Sequence, residues 1–174
     1  MRVIAGEFRS RRLKTLPGLE TRPTPDRLRE TLFNVLTPLL ADSIFLDAYA
    51  GSGAVGIEAL SRGARRAIFV EKNHSAVAVI RDNLAALRLE SRAEVYTGKT
   101  LAVLERVAAN IVFLDPPYQK ENEYESALNA LGASGAKLVV AQHASRAVLK
   151  PEYGNLKRYR IIKQGDNSLS FYQS

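Results

Sequence analysis

The feature that most constrains this chain is the run from residue 44 to residue 56, where an apolar segment, a glycine turn and a helical pattern follow one another. Residues 44–46 have the composition of a short buried strand, and Asp47 ends it with a carboxylate. Gly51 and Gly53 let the backbone approach a ligand closely, and apolar residues recur with helical spacing after the turn. A strand, a glycine turn and a helix in this order predict the first unit of a nucleotide-binding α/β sheet.

The same run also fits the fingerprint of dinucleotide-binding enzymes. Glycines from Gly51 to Gly56 have the G-x-G-x-x-G spacing, and Glu71 lies 20 residues beyond Gly51. However, Asp47 and three further residues separate the strand from the first glycine, and hydride transfer has no use for the tetrapeptide at 115–118. Together, the two motifs resemble those of class I S-adenosylmethionine-dependent methyltransferases that act on exocyclic or amide nitrogens, and we favour this interpretation.

Composition is that of an ordinary soluble domain. The 174 residues are enough for one substantial core, and 46% of them are hydrophobic and 25% charged. There is no cysteine, which excludes disulfides, and two histidines are too few for a histidine-rich metal centre. No apolar run approaches the ~20 residues of a membrane span. We therefore expect a cytoplasmic protein with no metal and no membrane partner.

The net charge of +7 is unevenly distributed along the chain. Between residues 1 and 16 the single acid Glu7 stands against five basic residues: Arg2, Arg9, Arg11, Arg12 and Lys14. A second basic cluster is opposed only by Glu152: Arg146, Lys150, Lys157, Arg158, Arg160 and Lys163. Such a surface can simply be solvated, but two basic clusters around a cofactor-type core favour a polyanion such as RNA as the partner.

Hydrophobic periodicity along the chain predicts an α/β sheet with a small β-hairpin and helix extension at its start. The hairpin falls within residues 2–16, and a helix begins near residue 24–26 and ends at Pro38. Strands are expected at 44–48, 67–71, 93–96, 110–114, 137–141, 156–163 and 168–172. Helices are expected at 54–62, 74–87, 100–107, 122–131 and 146–150. We divide the chain into an RNA-binding extension, 1–40, and a cofactor-binding catalytic core, 41–174.

Three acids fall at predicted strand ends: Asp47, Glu71 and Asp115. Ligands of such sheets bind beyond the carboxyl ends of the strands, so the three carboxylates should share one rim. A rim of this kind suits S-adenosylmethionine, which carries a sulfonium and an ammonium and no phosphate. Glu71 is best placed to accept hydrogen bonds from both ribose hydroxyls, and Asp47 to lie near the amino-acid tail.

The tetrapeptide Asp115-Pro116-Pro117-Tyr118 predicts the reacting site. A residue that precedes proline is pushed into an extended conformation, so the loop is stiff, and neither proline has a backbone N–H. The acceptors that remain, the Asp115 carboxylate and the Pro116 carbonyl, suit a planar amino group. Tyr118 offers a ring on which a base can stack, worth about 1–3 kcal/mol.

Further segments of the chain resemble the bacterial ribosomal RNA small subunit methyltransferase D family. They are RVIAG at 2–6, RSRRL at 9–13, RPT at 22–24, Arg27, RETLFN at 29–34, DAYAGSG at 47–53, GIEALSRGA at 56–64 and SLSFY at 168–172. The resemblance implies a Rossmann-like class I methyltransferase with a seven-stranded mixed sheet and one antiparallel strand. It also implies transfer from S-adenosylmethionine to N2 of a guanine in 16S ribosomal RNA, with the assembled small subunit as substrate.

The resemblance assigns residues to three roles. The reacting site is Asp115 to Tyr118. Cofactor-binding positions are Asp47, Ala48, Gly51, Gly53, Glu71, Lys72, Gly98 and Lys99. RNA-binding positions are Arg9, Arg11, Arg12, Arg22, Thr24 and Arg27. One position departs from the family pattern, because Lys99 stands where an acid usually accepts a hydrogen bond from the adenine amino group, and lysine cannot accept one.

Two other functions remain open from the sequence. The same tetrapeptide serves enzymes that methylate adenine N6 in DNA or a glutamine in protein. We expect no target-recognition domain of the kind that DNA methylation needs, which disfavours DNA, and the basic hairpin disfavours a small peptide substrate. A non-catalytic RNA-binding module of the same fold is the other alternative, and Lys99 is consistent with it.

Overall fold

The computed structural model describes residues 1–17, 24–117 and 120–174. Within these ranges the helices are α1 (Asp26–Leu40), α2 (Ala54–Ser61), α3 (His74–Ala86), α4 (Thr100–Leu104) and α5 (Glu121–Ser134), with a 3₁₀ turn at Glu90–Arg92. The strands are β1 (Ile44–Asp47), β2 (Arg66–Glu71), β3 (Ala93–Thr97), β4 (Ile111–Leu114), β5 (Leu138–Ala144), β6 (Glu152–Tyr153), β7 (Leu156–Gln164) and β8 (Asn167–Gln173). None of the described helices combines the length and the apolar content needed to cross a membrane.

The strands form one sheet in the order β3-β2-β1-β4-β5-β8-β7-β6. The first five in this order are parallel, whereas β8 is antiparallel to β5, β7 to β8 and β6 to β7. Chain order reverses between β1 and β4, which are neighbours in the sheet. A crevice beyond the carboxyl ends of these two strands is where ligands bind in open α/β sheets.

Helices cover both faces of the sheet. One core combines side chains of α4 and α5 with one face of β1, β4 and β5. On the other face, α1 and α2 pack on β1, β4, β5 and β8, and α2 and α3 pack on β2. Strand β4 is buried along its whole length, as expected for a central parallel strand covered on both sides. The Rossmann-like mixed α/β fold predicted from the sequence is confirmed.

The sheet has eight strands in the described residues, not seven, and two of them run against β1 rather than one. The additional strand, β6, has only two residues, which is too short to give a periodic signal. Tyr153 fixes it in place, since its buried ring contacts Tyr172 and its hydroxyl accepts the Lys150 N–H at 3.0 Å.

The prediction of a helix at 146–150 is wrong. This segment contains a turn, in which the Ala147 N–H donates to the Ala144 carbonyl at 2.9 Å. Pro151 follows directly and disfavours the helical region for Lys150.

The predicted end of α1 at Pro38 is also wrong, because the helix continues to Leu40. Proline removes the hydrogen bond to the carbonyl four residues earlier but does not end a helix whose apolar face is otherwise well packed. Leu36 and Leu40 are both fully buried, on either side of Pro38. The Thr37 hydroxyl donates to the Phe33 carbonyl at 2.7 Å within the same turn.

The amino-terminal hairpin is a short loop closed by one antiparallel bridge, between Arg2 and Arg12, rather than by regular strands. We call residues 1–17 the arm. Val3 and Leu13 are buried against α2 and α3. Gly6 approaches α2 so closely that a Cβ there would lie 1.9 Å from the Ser61 carbonyl oxygen. The arm therefore packs on the rest of the fold along most of its length.

A buried carboxylate fixes the arm. Glu58 of α2 is fully buried and accepts the N–H groups of Ile4 and Ala5, at 2.8 and 3.0 Å, and the Arg62 guanidinium at 2.8 Å. Arg29 of α1 is also fully buried, and its Nη2 donates to the Arg2 carbonyl at 2.7 Å. Burial lowers the pKa of Arg29, and Glu58 acts against this. Charges in such positions persist only when they are paired.

Replacing Glu58 with glutamine should destabilise the protein by about 3 kcal/mol, because it removes the ionic partner of Arg62 and one of the two carboxylates that offset buried Arg29, and weakens two bonds to the arm. Urea unfolding at neutral pH measures this. Glu30→Gln, the same change at an exposed position of α1, is the matched control. If both variants unfold at the wild-type urea concentration, Glu58 does not hold the arm.

Candidate active site

The glycine turn after β1 is fixed to the ends of the neighbouring strands. The Ala48 N–H donates to the Phe113 carbonyl of β4 at 3.0 Å, and the Ala50 N–H to the Val70 carbonyl of β2 at 2.9 Å. Gly51 and Gly53 adopt φ values of 55° and 83°, which favour glycine. The turn thus lies above β1, β2 and β4 in a backbone conformation that would strain most other residues.

Asp47 anchors the start of α2. Its carboxylate is buried and accepts the Gly56 N–H at 3.0 Å, one of the donors that a helix start leaves without an internal partner. A Cβ on Gly56 would lie 2.3 Å from the Phe69 ring, so glycine here permits close packing of α2 on β2. In dinucleotide-binding enzymes the start of this helix faces a phosphate of the ligand. Here the carboxylate of Asp47 bonds to the start of the helix instead.

Glu71 is held from two sides at the end of β2. One carboxylate oxygen accepts the Gly51 N–H and the other accepts the Asn73 N–H, each at 2.9 Å. A carboxylate oxygen can accept two hydrogen bonds, so each retains capacity for a further donor. The arrangement fixes the orientation of a half-buried carboxylate beside the glycine turn.

Asp47 lies within electrostatic reach of both other rim carboxylates, Glu71 and Asp115. The pKa of Asp47 is raised to about 7, mainly by burial and also by the charge of Glu71, while the Gly56 hydrogen bond acts in the opposite direction. The pKa of Asp115 is likewise raised to about 7, mainly by burial and also by the charge of Asp47. A cation bound at this rim would relieve the repulsion and favour the ionised forms.

Asp115 follows β4, and its carboxyl lies near the Thr24 hydroxyl, which acts to lower its pKa. Pro116 is buried and Pro117 is exposed, with the Pro117 carbonyl accepting the Lys120 N–H at 2.9 Å. Tyr118 lies outside the described residues, so its predicted stacking role stays a prediction.

The loop after β3 closes on the glycine turn. The Gly98 N–H donates to the Glu71 carbonyl at 3.0 Å, and the Thr100 hydroxyl donates to the Ala48 carbonyl at 2.7 Å. The side chains of Lys72 and Lys99 are exposed at the edges of this site. The structure therefore brings together Asp47, Ala48, Gly51, Gly53, Glu71, Gly98 and Asp115 among the predicted positions.

Sequence reasoning missed several residues that complete the rim. The Tyr49 hydroxyl contacts the side chains of Thr100 and Glu123, which links the glycine turn to α5; burial is the main cause of its raised pKa. Asn73 caps α3 by accepting the N–H groups of Ser75 and Ala76. An Asn before a helical pattern is a recognisable cap signal, but nothing in the sequence pairs Tyr49 with a residue 74 positions later.

The predicted RNA-binding residues divide into exposed and inward-facing positions. Arg9, Arg12 and Arg27 are exposed, as is Arg11, although its Nη2 lies 3.5 Å from the Ala86 carbonyl. Thr24 is half-buried, and its hydroxyl lies 3.2 Å from Gln142 Oε1. Arg22 lies outside the described residues. The exposed arginines are free to meet a polyanion, whereas Thr24 faces the rim.

A cavity of about 280 Å³ opens at the opposite end of the sheet, near the starts of β1 and β2 and the end of α4. The Arg66 side chain at its wall pairs with Glu94, and Tyr96 donates to the same carboxylate at 2.9 Å. No predicted site residue lines this cavity, so it is separate from the rim.

Comparison with known proteins gives a consistent result. The family model described as conserved hypothetical protein 95 matches residues 1–173. The ribosomal RNA small subunit methyltransferase D of Haemophilus influenzae is 40% identical, over 100% of this chain and 94% of its own. The Escherichia coli K12 protein of the same name is 39% identical over 78% of this chain and 68% of its own.

Solved structures agree with the fold. The structure of the Escherichia coli protein yhhF superposes on this protein with a TM-score of 0.85 at 34% identity. The match covers 99% of this chain and 97% of that chain. A hypothetical protein of Thermus thermophilus gives a TM-score of 0.83 at 30% identity over 100% and 99% of the two chains.

The match over nearly the whole chain confirms the resemblance stated from the sequence. The protein therefore belongs to the conserved hypothetical protein 95 family, has ribosomal RNA small subunit methyltransferase D proteins among its relatives, and is a methyltransferase.

Proposed function

We propose that this protein transfers a methyl group from S-adenosylmethionine to the exocyclic N2 of a guanine in small-subunit ribosomal RNA. The observation that carries the proposal is the rim itself: Asp47 and Asp115 lie at the ends of β1 and β4, between which chain order reverses, and Glu71 lies at the end of the neighbouring strand β2. The names of the relatives support ribosomal RNA as the substrate.

The residues of the rim fit S-adenosylmethionine. Bound there, this cofactor supplies an electrophilic methyl group on a positively charged sulfur. Glu71 would accept the ribose hydroxyls with the acceptor capacity that its two backbone bonds leave, and Asp47 would face the cationic amino-acid tail. Gly51 and Gly53 would line the cofactor with backbone. Lys99 cannot accept from the adenine amino group, so the backbone of the Gly98–Lys99 loop is the expected partner there.

Asp115 would hold the amino group that is methylated. Its carboxylate can accept one N–H of the target while the nitrogen lone pair faces the methyl donor, and its charge stabilises the positive charge that develops on nitrogen. The Pro116 carbonyl and the Tyr118 ring would hold and stack the base. Whether Asp115 or water takes the final proton does not change these roles.

The arm and α1 would bind RNA. We assign Arg9, Arg11, Arg12, Arg22 and Arg27 to phosphate contacts, and treat residues 1–40 as the RNA-binding part and 41–174 as the catalytic part. Because Glu58 fixes the arm to α2, exposed arginines on the arm are presented on a rigid support. A preformed surface of this kind suits a folded partner such as the assembled small subunit, the substrate we propose.

Asp115→Asn should lower kcat for methyl transfer at least 100-fold, because the charge that stabilises the reacting nitrogen is lost. Purified small subunits that lack the modification serve as substrate, with labelled S-adenosylmethionine, and nucleoside analysis identifies the product. Asp42→Asn is the matched control, since Asp42 is exposed at the opposite end of β1 and its φ of 60° is tolerated by asparagine.

Wild-type protein should yield N2-methylguanosine, and the control should match it. A product methylated at adenine N6 would refute the guanine assignment. Full turnover by Asp115→Asn would remove Asp115 from the mechanism, and binding of RNA without any transfer by the wild type would favour a non-catalytic module.

Arg11→Glu combined with Arg12→Glu should weaken binding of small-subunit RNA and reduce the slope of log Kd against log salt concentration by about 2, one for each lost phosphate contact. Arg65→Glu combined with Arg106→Glu makes the same charge change on exposed residues at the far end of the sheet. Equal losses in both double variants would show that net charge, and not the arm, determines affinity.

A further inference from the structure

A polar contact connects the start of α1 to the end of β5. The Thr24 hydroxyl, two residues before α1, lies 3.2 Å from the side-chain amide of Gln142. Gln142 is buried, although its strand is otherwise apolar up to this point. The backbone carbonyl of Gln142 accepts the Tyr124 hydroxyl at 2.6 Å, so its place on the sheet is fixed from the α5 side.

Strand register brings Asp115 beside this contact. Strands β4 and β5 are parallel, with Leu114 opposite Ala141. The next residues are Asp115 and Gln142, which are therefore lateral neighbours at the rim. Leu114 and Ala141 both face α5, so by strand alternation Asp115 and Gln142 face the α1 side, where Thr24 lies.

The donor inventory determines how these three groups can bond. A hydroxyl has one hydrogen, so Thr24 can donate to the Gln142 oxygen or to the Asp115 carboxylate, but not to both. The oxygen and nitrogen of a side-chain amide are assigned from their bonding partners. With the Gln142 NH₂ group donating to Thr24 Oγ1, the Thr24 hydrogen is free for Asp115, and both contacts can form at once.

We propose that Thr24 and Gln142 are positioning residues for Asp115. Gln142 orients the Thr24 hydroxyl, and the hydroxyl donates to one carboxylate oxygen and leaves the other aimed at the target amino group. This inference rests on the proposed function, since it concerns the same carboxylate. It also reassigns Thr24, which sequence resemblance placed among the RNA contacts, to the reacting group.

The groups around Asp115 determine how loss of the Thr24 hydroxyl should change the pH dependence of the rate. Asp47 from β1 disfavours its ionised form, and Glu71 from β2 acts on Asp47 in the same sense. On the α5 side, Lys120 and Glu123 pair with each other at 3.1 Å. Thr24 is the neighbour that favours the ionised form of Asp115. Loss of its hydroxyl should therefore move the acidic limb of the rate profile to higher pH.

The test compares Thr24→Val, which removes the hydroxyl and keeps the shape, with Thr24→Ser, which keeps the hydroxyl. Gln142→Met removes the other partner of the same Thr24–Gln142 contact. For methyl transfer to small subunits at saturating RNA and cofactor, Thr24→Val and Gln142→Met should each lower kcat about tenfold and shift the acidic limb upward. Thr24→Ser should restore both values, and the Kd for RNA should stay unchanged in all three.

Failure of this inference can be distinguished from failure of the proposed function. If wild-type protein does not methylate small subunits, the function itself is refuted. If the wild type is active, then wild-type kcat and an unshifted limb in Thr24→Val and Gln142→Met refute the positioning role. A raised Kd for RNA with unchanged kcat in Thr24→Val would likewise overturn it, and return Thr24 to the RNA surface.

Discussion

The arrangement on which the site depends is the placement of three carboxyl groups at one edge of the sheet. Asp47 and Asp115 each have a pKa raised to about 7 by burial and by a neighbouring carboxylate. Backbone N–H groups fix two of the three carboxyl groups: Gly56 donates to Asp47, and Gly51 and Asn73 donate to Glu71. Such a rim is costly without a cation and becomes favourable when a cation binds.

Helix α2 connects this rim to the arm. At its start, the Gly56 N–H holds Asp47. Further along, Glu58 accepts the arm backbone at residues 4 and 5, and the Ser61 hydroxyl donates to the Ala5 carbonyl at 2.6 Å. A helix of only eight residues thus fixes both the glycine turn and the basic arm. RNA bound by the arm would lie in a defined position relative to the reacting carboxylate.

The sequence predicted the structural features whose signals lie close together along the chain. The strand, glycine turn and helix at 44–56 were recognisable because the signals lie side by side, and the acids at strand ends follow from parallel topology. The role of Glu58 was not recognisable from the sequence, because its hydrogen-bond partner Ile4 is 54 residues away. Proline signals misled in α1, where packing of Leu36 and Leu40 outweighed one missing hydrogen bond.

Equilibrium binding of S-adenosylmethionine between pH 8 and pH 6, measured by titration calorimetry, tests the central claim most directly. A carboxyl whose pKa is raised to about 7 takes up a proton as the pH falls through that value, and loses its attraction for a cation. Between pH 8 and pH 6 the affinity for S-adenosylmethionine should therefore fall about tenfold for each carboxyl whose pKa the bound ligand lowers. Affinity that does not change with pH, or binding of a nicotinamide dinucleotide in its place, would contradict the account.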